Sequence, residues 1–431
     1  MNVRISRRDF LRAGTAASVG VAILPPAGAF YAAPIAPGAN DRIQFGVIGV
    51  GNQGTGHLRS LVERAAKDNI RVVAVSDVYQ KRLSRAVDIC HGSGYLDYRA
   101  LLDRKDIDAV LIATPDHWHA KMAMDAMEAG KHVYLEKPMS HTIEQALAVR
   151  DAVKRYNKVL QVGPQATADD GFWQAREAIQ TGRIGKVTWA QGSYCRNSRE
   201  CAFNAEPFKI DPAAGPQATG DNDIDWDMWL GHKFGLAPKI PFNPEHFFRF
   251  RKYWPYSGGV ATDLLYHKLA PLLLAIAGPD GEYPLRVNAS GGLYVEKDGR
   301  DIPDTHMITI DYPSEYSIFL VSTLTNDTQN PDRIYGKHGT MDLGGDPDLR
   351  SNLEFAPQFK AKNDGYMEVR LARQERRDME GNFIDVIRGK GRLHCNAELG
   401  AATMVGIAMG VEAYRQRKTM LWDTEKEKAV S

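Results

Sequence analysis

The stretch from Ile43 to His57 reads IQFGVIGVGNQGTGH and decides the fold of the first part of the chain. It opens with a short apolar run rich in β-branched residues, a composition typical of a buried parallel strand. A G-x-G-x-x-G pattern follows, and the apolar residues after it have a helical spacing. In such a pattern the glycines permit a tight turn, close approach of a pyrophosphate and close packing of helix on strand. The stretch therefore predicts a dinucleotide-binding unit, whose cofactor contacts would come from Gly49, Gly51, Asn52, Gln53 and Gly54.

A second apolar run, residues 72–75, leads into Ser76 and Asp77. An acidic residue at the end of the second strand of such a unit can accept hydrogen bonds from the adenosine ribose. Asp77 would also repel a 2′-phosphate, so the sequence predicts NAD as the cofactor. Lys81 and Arg82 lie close enough along the chain to neutralise that phosphate, which leaves NADP as the alternative.

Strands and helices continue to alternate as far as residue 165, which predicts a doubly wound parallel sheet with helices on both faces. Ligands of such sheets bind beyond the carboxyl ends of the strands. Residues that follow three further predicted strands are expected to contact the cofactor: Thr114, Pro115, His117, His119, Glu136, Lys137 and Gln165. His119 could equally cap the helix that follows. Neither histidine has a carboxylate or cysteine at ligand spacing, so no metal site is predicted.

The composition of the 431-residue chain narrows the class of protein. Its length predicts two or three domains, each large enough for its own core. The formal net charge of +1 gives no indication of a nucleic-acid partner or an anionic membrane surface. The four cysteines form no C-x-x-C pattern, which argues against a zinc site or a disulfide framework. Buried free thiols are the expected state.

Residues 1–33 have the pattern of a twin-arginine export signal followed by an extended arm. Arg7 and Arg8 precede a weakly apolar, alanine-rich stretch, and Ala27-Gly28-Ala29 offers a cleavage site. The apolar run is too short to span a membrane, and no cysteine near the cleavage site could carry a lipid, so no membrane anchor is expected. The sequence thus predicts a periplasmic or otherwise exported protein that engages the twin-arginine machinery.

The composition changes after about residue 166. Segment 203–256 has few regular patterns and many aromatic residues, which suit stacking on sugar rings and packing between domains equally well. Arg249, Arg251 and Lys252 could line a pocket and bind an anionic or hydroxyl-rich group. Further strands are predicted at 187–192, 287–289, 292–295, 307–311, 317–322 and 333–335, and helices within 378–417.

Three motifs together resemble the Gfo/Idh/MocA oxidoreductases: GVIGVGNQG at 46–54, ATPDHWH at 113–119 and YLEKP at 134–138. The resemblance implies a Rossmann domain that binds NAD(P) over residues 41–165 and a C-terminal α+β domain over residues 166–424. Family members build the second domain around a large, open, mainly antiparallel sheet that is used for dimerisation. The resemblance therefore also implies a homodimer or homotetramer.

The resemblance implies a catalytic site as well. Family members pair the lysine of Glu-Lys-Pro with an aspartate and a histidine four residues later at the start of a helix, a pattern that Asp263 and His267 match. Oxidation of a secondary alcohol needs a base, and we assign His267 to that role because histidine titrates near neutral pH. Lys137 would stabilise the negative charge that develops on the reacting oxygen. Asp263 would orient the imidazole or contact a neighbouring hydroxyl.

These features predict an enzyme, an NAD(P)-dependent oxidoreductase that acts on a CH–OH group of a carbohydrate: a sugar, a polyol or a derivative. Because an exported protein meets almost no free NAD, the cofactor is expected to be loaded before export and retained. The alternative is a redox-neutral, NAD-dependent glycosidase or eliminating enzyme of the same superfamily, although such relatives tend to lack the Glu-Lys-Pro tripeptide. A non-catalytic NAD-binding or scaffold protein is a third possibility, against which Lys137, Asp263 and His267 together argue.

Overall fold

The computed structural model describes residues 41–343, 348–351, 368–370 and 374–431. The predicted export signal and arm, residues 1–33, lie outside this part of the chain. The described residues build two sheets, one of six strands and one of ten. No helix among them is both long and apolar enough to cross a membrane.

The first sheet has six parallel strands in the order β3-β2-β1-β4-β5-β6. The strands are β1 (Ile43–Ile48), β2 (Ile70–Ser76), β3 (Ser93–Tyr95), β4 (Ala109–Ile112), β5 (His132–Leu135) and β6 (Leu160–Val162). The helices are α1 (Asn52–Glu63), α2 (Gln80–Cys90), α3 (Tyr98–Leu102), α4 (Asp116–Glu128) and α5 (Ile143–Tyr156). The predicted doubly wound sheet is confirmed, and its strand order reverses between β1 and β4, where such sheets bind their ligands.

The second sheet is mixed and mostly antiparallel, as predicted, with the order β14-β13-β12-β11-β7-β10-β9-β8-β15-β16. Its central pair, β7 and β10, is parallel. The strands are β7 (Val187–Cys195), β8 (Arg286–Gly292), β9 (Thr305–Tyr312), β10 (Tyr316–Thr323), β11 (Arg333–Gly336), β12 (Gly339–Asp342), β13 (Asp348–Ser351), β14 (Glu368–Arg370), β15 (Met420–Asp423) and β16 (Lys428–Val430).

Helices pack on one face of this sheet and leave the other open. The helices that pack on the sheet are α9 (Tyr266–Ile276) and α11 (Ala397–Gln416). The other helices of this part of the chain are α6 (Asp170–Gln180), α7 (Trp226–Leu230), α8 (Pro244–Phe248) and α10 (Met379–Ile387). Helix α11 approaches the sheet closely because it presents Gly410, where an added Cβ would lie 2.5 Å from the Ile308 side chain. On the covered face Ile308, Ile318 and Leu320 are fully buried.

Helix α10 contributes to the first sheet although it lies far along the chain. The Phe383 ring packs edge-on against Phe45 and Tyr134, with centroids 6.2 and 5.9 Å apart. Just beyond the C-terminal end of the helix, Arg388 donates to the backbone carbonyl of Asp68 at 2.7 Å. The nucleotide-binding sheet is therefore completed by residues from the last part of the chain.

The strand predicted at 292–295 is wrong. Strand β8 ends at Gly292, and the next residues turn so that the amides of Tyr294, Val295 and Glu296 all donate to one carboxylate oxygen of Asp304 at 2.7–3.0 Å. A buried carboxylate that accepts hydrogen bonds from three backbone amides stabilises a turn. This stabilisation outweighs the preference of the apolar residues for a strand. The four cysteines are free, and three of them are buried, as predicted.

Candidate active site

A cavity of about 850 Å³ lies at the carboxyl ends of the first sheet. One wall is formed by residues that follow β1, β2, β4 and β5. The opposite wall comes from the end of β7, from segment 202–208 and from the start of the helical region that leads into α9. The cavity therefore joins the predicted cofactor edge to the second sheet.

The glycine-rich loop forms one end of this cavity. Gly49 has a φ of +82°, and an added Cβ at Gly54 would lie 1.8 Å from the Gly49 carbonyl oxygen. Helix α1 begins directly behind the loop, and Gly51, Asn52 and Gln53 line the cavity. A bare loop in front of a helix N-terminus offers backbone amides to a phosphate, so these residues fit a dinucleotide pyrophosphate.

Asp77 lies beside this loop, where its carboxylate accepts hydrogen bonds from the backbone amides of Val50 and Tyr79, both at 2.9 Å. Burial raises the pKa of this carboxyl group. Lys81 is held by Asp211 at 2.7 Å, whereas the Arg82 guanidinium lines the cavity. Arg82 thus provides a cation on the cavity wall near Asp77.

Thr114 and Pro115 line the cavity, and the buried Thr114 hydroxyl has no hydrogen-bond partner within the described residues. The structure does not place His117 or His119 on the cavity wall. His117 Nε2 lies 3.0 Å from the Trp229 carbonyl, and burial lowers the pKa of this histidine to about 3. The two ring nitrogens of His119 lie 2.6 and 2.8 Å from backbone carbonyl oxygens. Both rings join segments of the protein, so the expectation that they contact the cofactor is corrected.

Glu136 and Gln165 reach the cavity, and Glu136 is held by a residue that the sequence reading did not identify. His57 lies between two carboxylates, with Nε2 2.8 Å from Glu136 and Nδ1 2.7 Å from Glu380. Burial lowers the pKa of His57, but the two carboxylates outweigh it and raise the value to about 9. The ring is therefore an imidazolium at neutral pH, and it fixes Glu136 beside Lys137.

Lys137, Asp263 and His267 meet at the other end of the cavity. The Lys137 ammonium donates to the Asp263 carboxylate and to the Asp263 backbone carbonyl, each at 2.9 Å. Asp263 also accepts from Arg251 Nε at 2.9 Å. Burial opposes ionisation of Asp263, but Lys137 and Arg251 outweigh it and hold the pKa of the carboxyl group well below its usual range. Asp263 thus orients Lys137 rather than the imidazole.

His267 lies four residues beyond Asp263, after a π-helical turn over Ala261–Leu265. Its ring packs edge-on against Tyr194 with centroids 5.6 Å apart. Burial, followed by the charge of Lys137, lowers the pKa of His267 to about 3. The imidazole is therefore neutral at pH 7, and in this environment it is a weaker base than the free histidine that titrates near neutral pH.

Of the three basic residues predicted near the pocket, Arg251 alone lines the cavity. Arg249 is held by Glu245 at 2.6 Å, and the buried Lys252 is held by Glu245 and Asp298 at 3.0 and 3.1 Å. The sequence spacing of these three residues does not show which of them faces the cavity, because their directions depend on a short 3₁₀ turn over Phe250–Lys252.

Residues 211–229, named here the clasp segment, pair with the loop that follows β2. The backbone amide of Asp225 donates to the backbone carbonyl of Val78 at 2.9 Å, and the backbone amide of Gln80 donates to the backbone carbonyl of Asp223 at 3.0 Å. These bonds flank an antiparallel bridge between Tyr79 and Ile224. A piece of the second part of the chain thereby extends the edge of the nucleotide site.

Side chains strengthen this clasp segment. The Asp211 carboxylate accepts from the Tyr79 hydroxyl at 2.9 Å and from the Lys81 ammonium at 2.7 Å. At the other end of the segment, Trp118 Nε1 donates to the Trp229 carbonyl at 2.7 Å. The contacts connect the clasp segment to the chain after β2 and to the chain after β4, along the edge of the sheet that carries the predicted site.

Two family profiles match the chain. Residues 43–164 match the NAD-binding Rossmann fold of the Gfo/Idh/MocA oxidoreductase family, and residues 214–431 match the C-terminal alpha/beta domain of the same family. Among curated proteins, a glycosyl hydrolase family 109 protein of Shewanella baltica is 30% identical over 218 residues, which cover 45% of this chain and 47% of that protein. An alpha-N-acetylgalactosaminidase of Shewanella oneidensis is 29% identical over 219 residues, with the same coverage. The matches thus span about half the length of these relatives.

Solved structures share the fold over most of the chain. An NAD-binding protein from Listeria innocua is 22% identical with a TM-score of 0.63, covering 88% of this chain and 96% of its own. A levoglucosan dehydrogenase, solved with NADH and levoglucosan, is 19% identical with a TM-score of 0.62 and covers 90% and 99%. The WlbA dehydrogenase from Chromobacterium violaceum, solved with NADH and UDP-GlcNAcA, is 19% identical with a TM-score of 0.63 and the same coverage.

Proposed function

Because this chain belongs to the Gfo/Idh/MocA family of NAD-binding oxidoreductases, we propose that it oxidises a secondary alcohol of a sugar, a polyol or a derivative. One observation carries the proposal: Lys137, Asp263 and His267 meet at one end of a cavity whose other end is the glycine-rich loop. A carbohydrate bound between them would place its carbinol within reach of a base and of the cofactor.

The site residues divide the chemistry between them. NAD, when bound, supplies the hydride acceptor. His267, neutral at pH 7, accepts the hydroxyl proton of the substrate on a ring nitrogen. The Lys137 ammonium, aimed by Asp263, donates to the same substrate oxygen and stabilises the negative charge that develops there. Arg251 keeps Asp263 ionised, so that Lys137 stays oriented.

The redox-neutral route is the second candidate, and the family 109 glycosidase relatives favour it. In that route a carbon is oxidised, elimination breaks the glycosidic bond, and the carbon is then reduced. The Glu-Lys-Pro tripeptide at 136–138 supports net oxidation instead. A panel of free sugars and aryl glycosides tests both, with cofactor absorbance and product mass followed together. An oxidised sugar supports the first route, and hydrolysed glycoside without net cofactor reduction supports the second.

The predicted twin-arginine signal over residues 1–33 supports export to the periplasm, and the formal net charge of +1 gives no reason to propose a nucleic-acid partner. We place the domain boundary near residue 165.

The open face of the second sheet carries partly exposed apolar side chains, among them Phe319, Val321 and a stacked Trp189–Tyr335 pair. An apolar sheet face of this kind supports a homodimer or homotetramer, which light scattering of the purified protein tests.

We expect the protein to purify with about one nucleotide per chain. The clasp segment connects the chain after β2 with the chain after β4, and we expect its contacts to slow the departure of the nucleotide. Asp211→Ala removes the acceptor shared by Tyr79 and Lys81, and should speed NAD release roughly tenfold. The amount of nucleotide released on denaturation gives the stoichiometry. The loss of fluorescence of the reduced cofactor after dilution gives the rate of release. A retained cofactor would be returned to its oxidised form by ping-pong hydride exchange, in which a second carbonyl substrate takes the hydride.

Asp227→Ala is the matched control, since this exposed carboxylate lies in the same segment. Protein that purifies with far less than one nucleotide per chain and turns over rapidly with added soluble NAD would contradict retention.

We expect stripped protein to bind NAD more tightly than NADP. The buried Asp77 carboxylate lies next to the ribose position, and Lys81, the nearest flexible cation in sequence, is already bound to Asp211. Arg82 remains to face a 2′-phosphate, so the preference should be about tenfold rather than absolute. Titration of both nucleotides, monitored by intrinsic fluorescence, measures the ratio. Tighter binding of NADP would refute this assignment.

A further inference from the structure

The Arg251 guanidinium is only partly used by the protein. Its Nε donates to Asp263 at 2.9 Å, and its carbon lies 5.3 Å from the Phe208 ring centroid and 4.5 Å from that of Phe250. Among the described residues no hydrogen-bond partner is found for its two terminal nitrogens. The aromatic rings hold the guanidinium in place while this fork of donors stays available on the cavity wall.

A second guanidinium, that of Arg196, faces the same cavity directly after β7. Its Nη2 donates to the Tyr194 hydroxyl at 2.7 Å, and its carbon lies 4.7 Å from the centroid of that ring. Within the described residues no carboxylate lies within 4.0 Å of it. Its charge is one of those that lower the pKa of His267, so it stands near the reacting end.

The carboxylates at this end already have partners within the protein, and none of these partners is Arg196. Asp263 is shared between Lys137 and Arg251, and Glu136 is engaged by His57. Asp116, which also lines the cavity and is buried, offsets one more positive charge. Glu206 and Asp327 are solvent-exposed at the rim, and Glu206 pairs with Lys209. With His57 and its second carboxylate Glu380 included, positive and negative side chains at this end are equal in number, and oxidised nicotinamide would add one positive charge.

A guanidinium with free terminal nitrogens binds a carboxylate through paired, charge-assisted hydrogen bonds. We propose that the substrate is an acidic sugar, or a glycoside of one, whose carboxylate is bound by Arg196 and Arg251 while a neighbouring carbinol meets Lys137 and His267. The proposal rests on the sugar oxidoreductase function proposed above and specifies its substrate class.

Matched pairs of sugars test the substrate class. Methyl glucuronide, galacturonide and mannuronide would each be compared with the neutral methyl glycoside of the same configuration, using the holoenzyme. We expect kcat/KM for the acid to exceed that for its neutral partner by at least about tenfold. Equal or faster oxidation of the neutral members would overturn the acidic-substrate proposal and leave the oxidoreductase function standing. Absence of turnover on every pair would refute both.

Arg196→Gln tests the residue, because Arg196 does not touch Lys137, Asp263 or His267. For acidic sugars KM should rise by about 10- to 100-fold, and KM for neutral sugars should not rise with it. Arg196→Lys keeps the charge and should recover part of the affinity. Arg199→Gln, an exposed arginine three residues further along, is the control. An equal loss of kcat on acidic and neutral sugars would show a structural role for Arg196 and overturn its assignment.

Discussion

Replacing Lys137 by methionine should lower kcat by about 10²–10³ while NAD affinity changes little. Methionine has a similar length but cannot donate to the reacting oxygen, so charge that develops there loses its stabilising partner. His267→Ala removes the proton acceptor and should cost a similar factor. Single-turnover absorbance at the nicotinamide band gives the rate, and titration of stripped protein gives the nucleotide affinity.

Lys154→Met is a suitable control, because this lysine is exposed on α5 and pairs with a surface carboxylate. The variant with both Lys137→Met and His267→Ala should be inactive within detection. If that double variant kept more than a tenth of the original kcat, the catalytic assignment would be wrong.

Replacing Gly54 by alanine should weaken NAD binding by more than tenfold. The new methyl group would lie 1.8 Å from the Gly49 carbonyl oxygen, a backbone atom that can move only with the whole loop. Overpacking at such a position typically costs about 1–3 kcal/mol, and here the displaced segment is the one that would face the pyrophosphate. Isothermal titration of stripped protein with NAD measures the loss directly.

Gly56→Ala provides the comparison within the same helix, since an added Cβ there meets nothing within 4 Å. Its alanine should keep full NAD affinity and stabilise α1 slightly. Thermal unfolding of both apo variants separates a folding defect from a binding defect. Unchanged NAD affinity in the Gly54 variant would exclude this loop as the phosphate site.

The features that local sequence determines were predictable. The glycine pattern, the apolar strands and the residues at their carboxyl ends follow from short-range spacing, and the parallel sheet brings them to one edge. Gly49, Gly54, Asp77, Glu136 and Gln165 lie near the cavity for that reason. The pairing of Lys137 with Asp263 could be stated because a family resemblance supplied the long-range contact that spacing alone does not contain.

The features that depend on distant segments were not predictable. His57 directly follows the glycine pattern, but its role depends on Glu380, which reaches it through α10. His117 and His119 follow β4 as expected but lie in the first turn of α4, and their rings contact the carbonyl groups of Trp229 and Pro138 instead of the cavity. The partners of each ring lie on segments whose positions only the tertiary fold fixes.

The late position of α10 in the chain has a consequence for biosynthesis. Strands β1 to β6 leave the ribosome first, and the rings of Phe45 and Tyr134 stay uncovered until Phe383 has been translated. His57 likewise gains its second carboxylate only when Glu380 arrives. The nascent nucleotide domain thus passes through a stage with exposed apolar surface, in which chaperones commonly bind such chains. The set of contacts through which His57 fixes Glu136 is therefore complete only towards the end of translation.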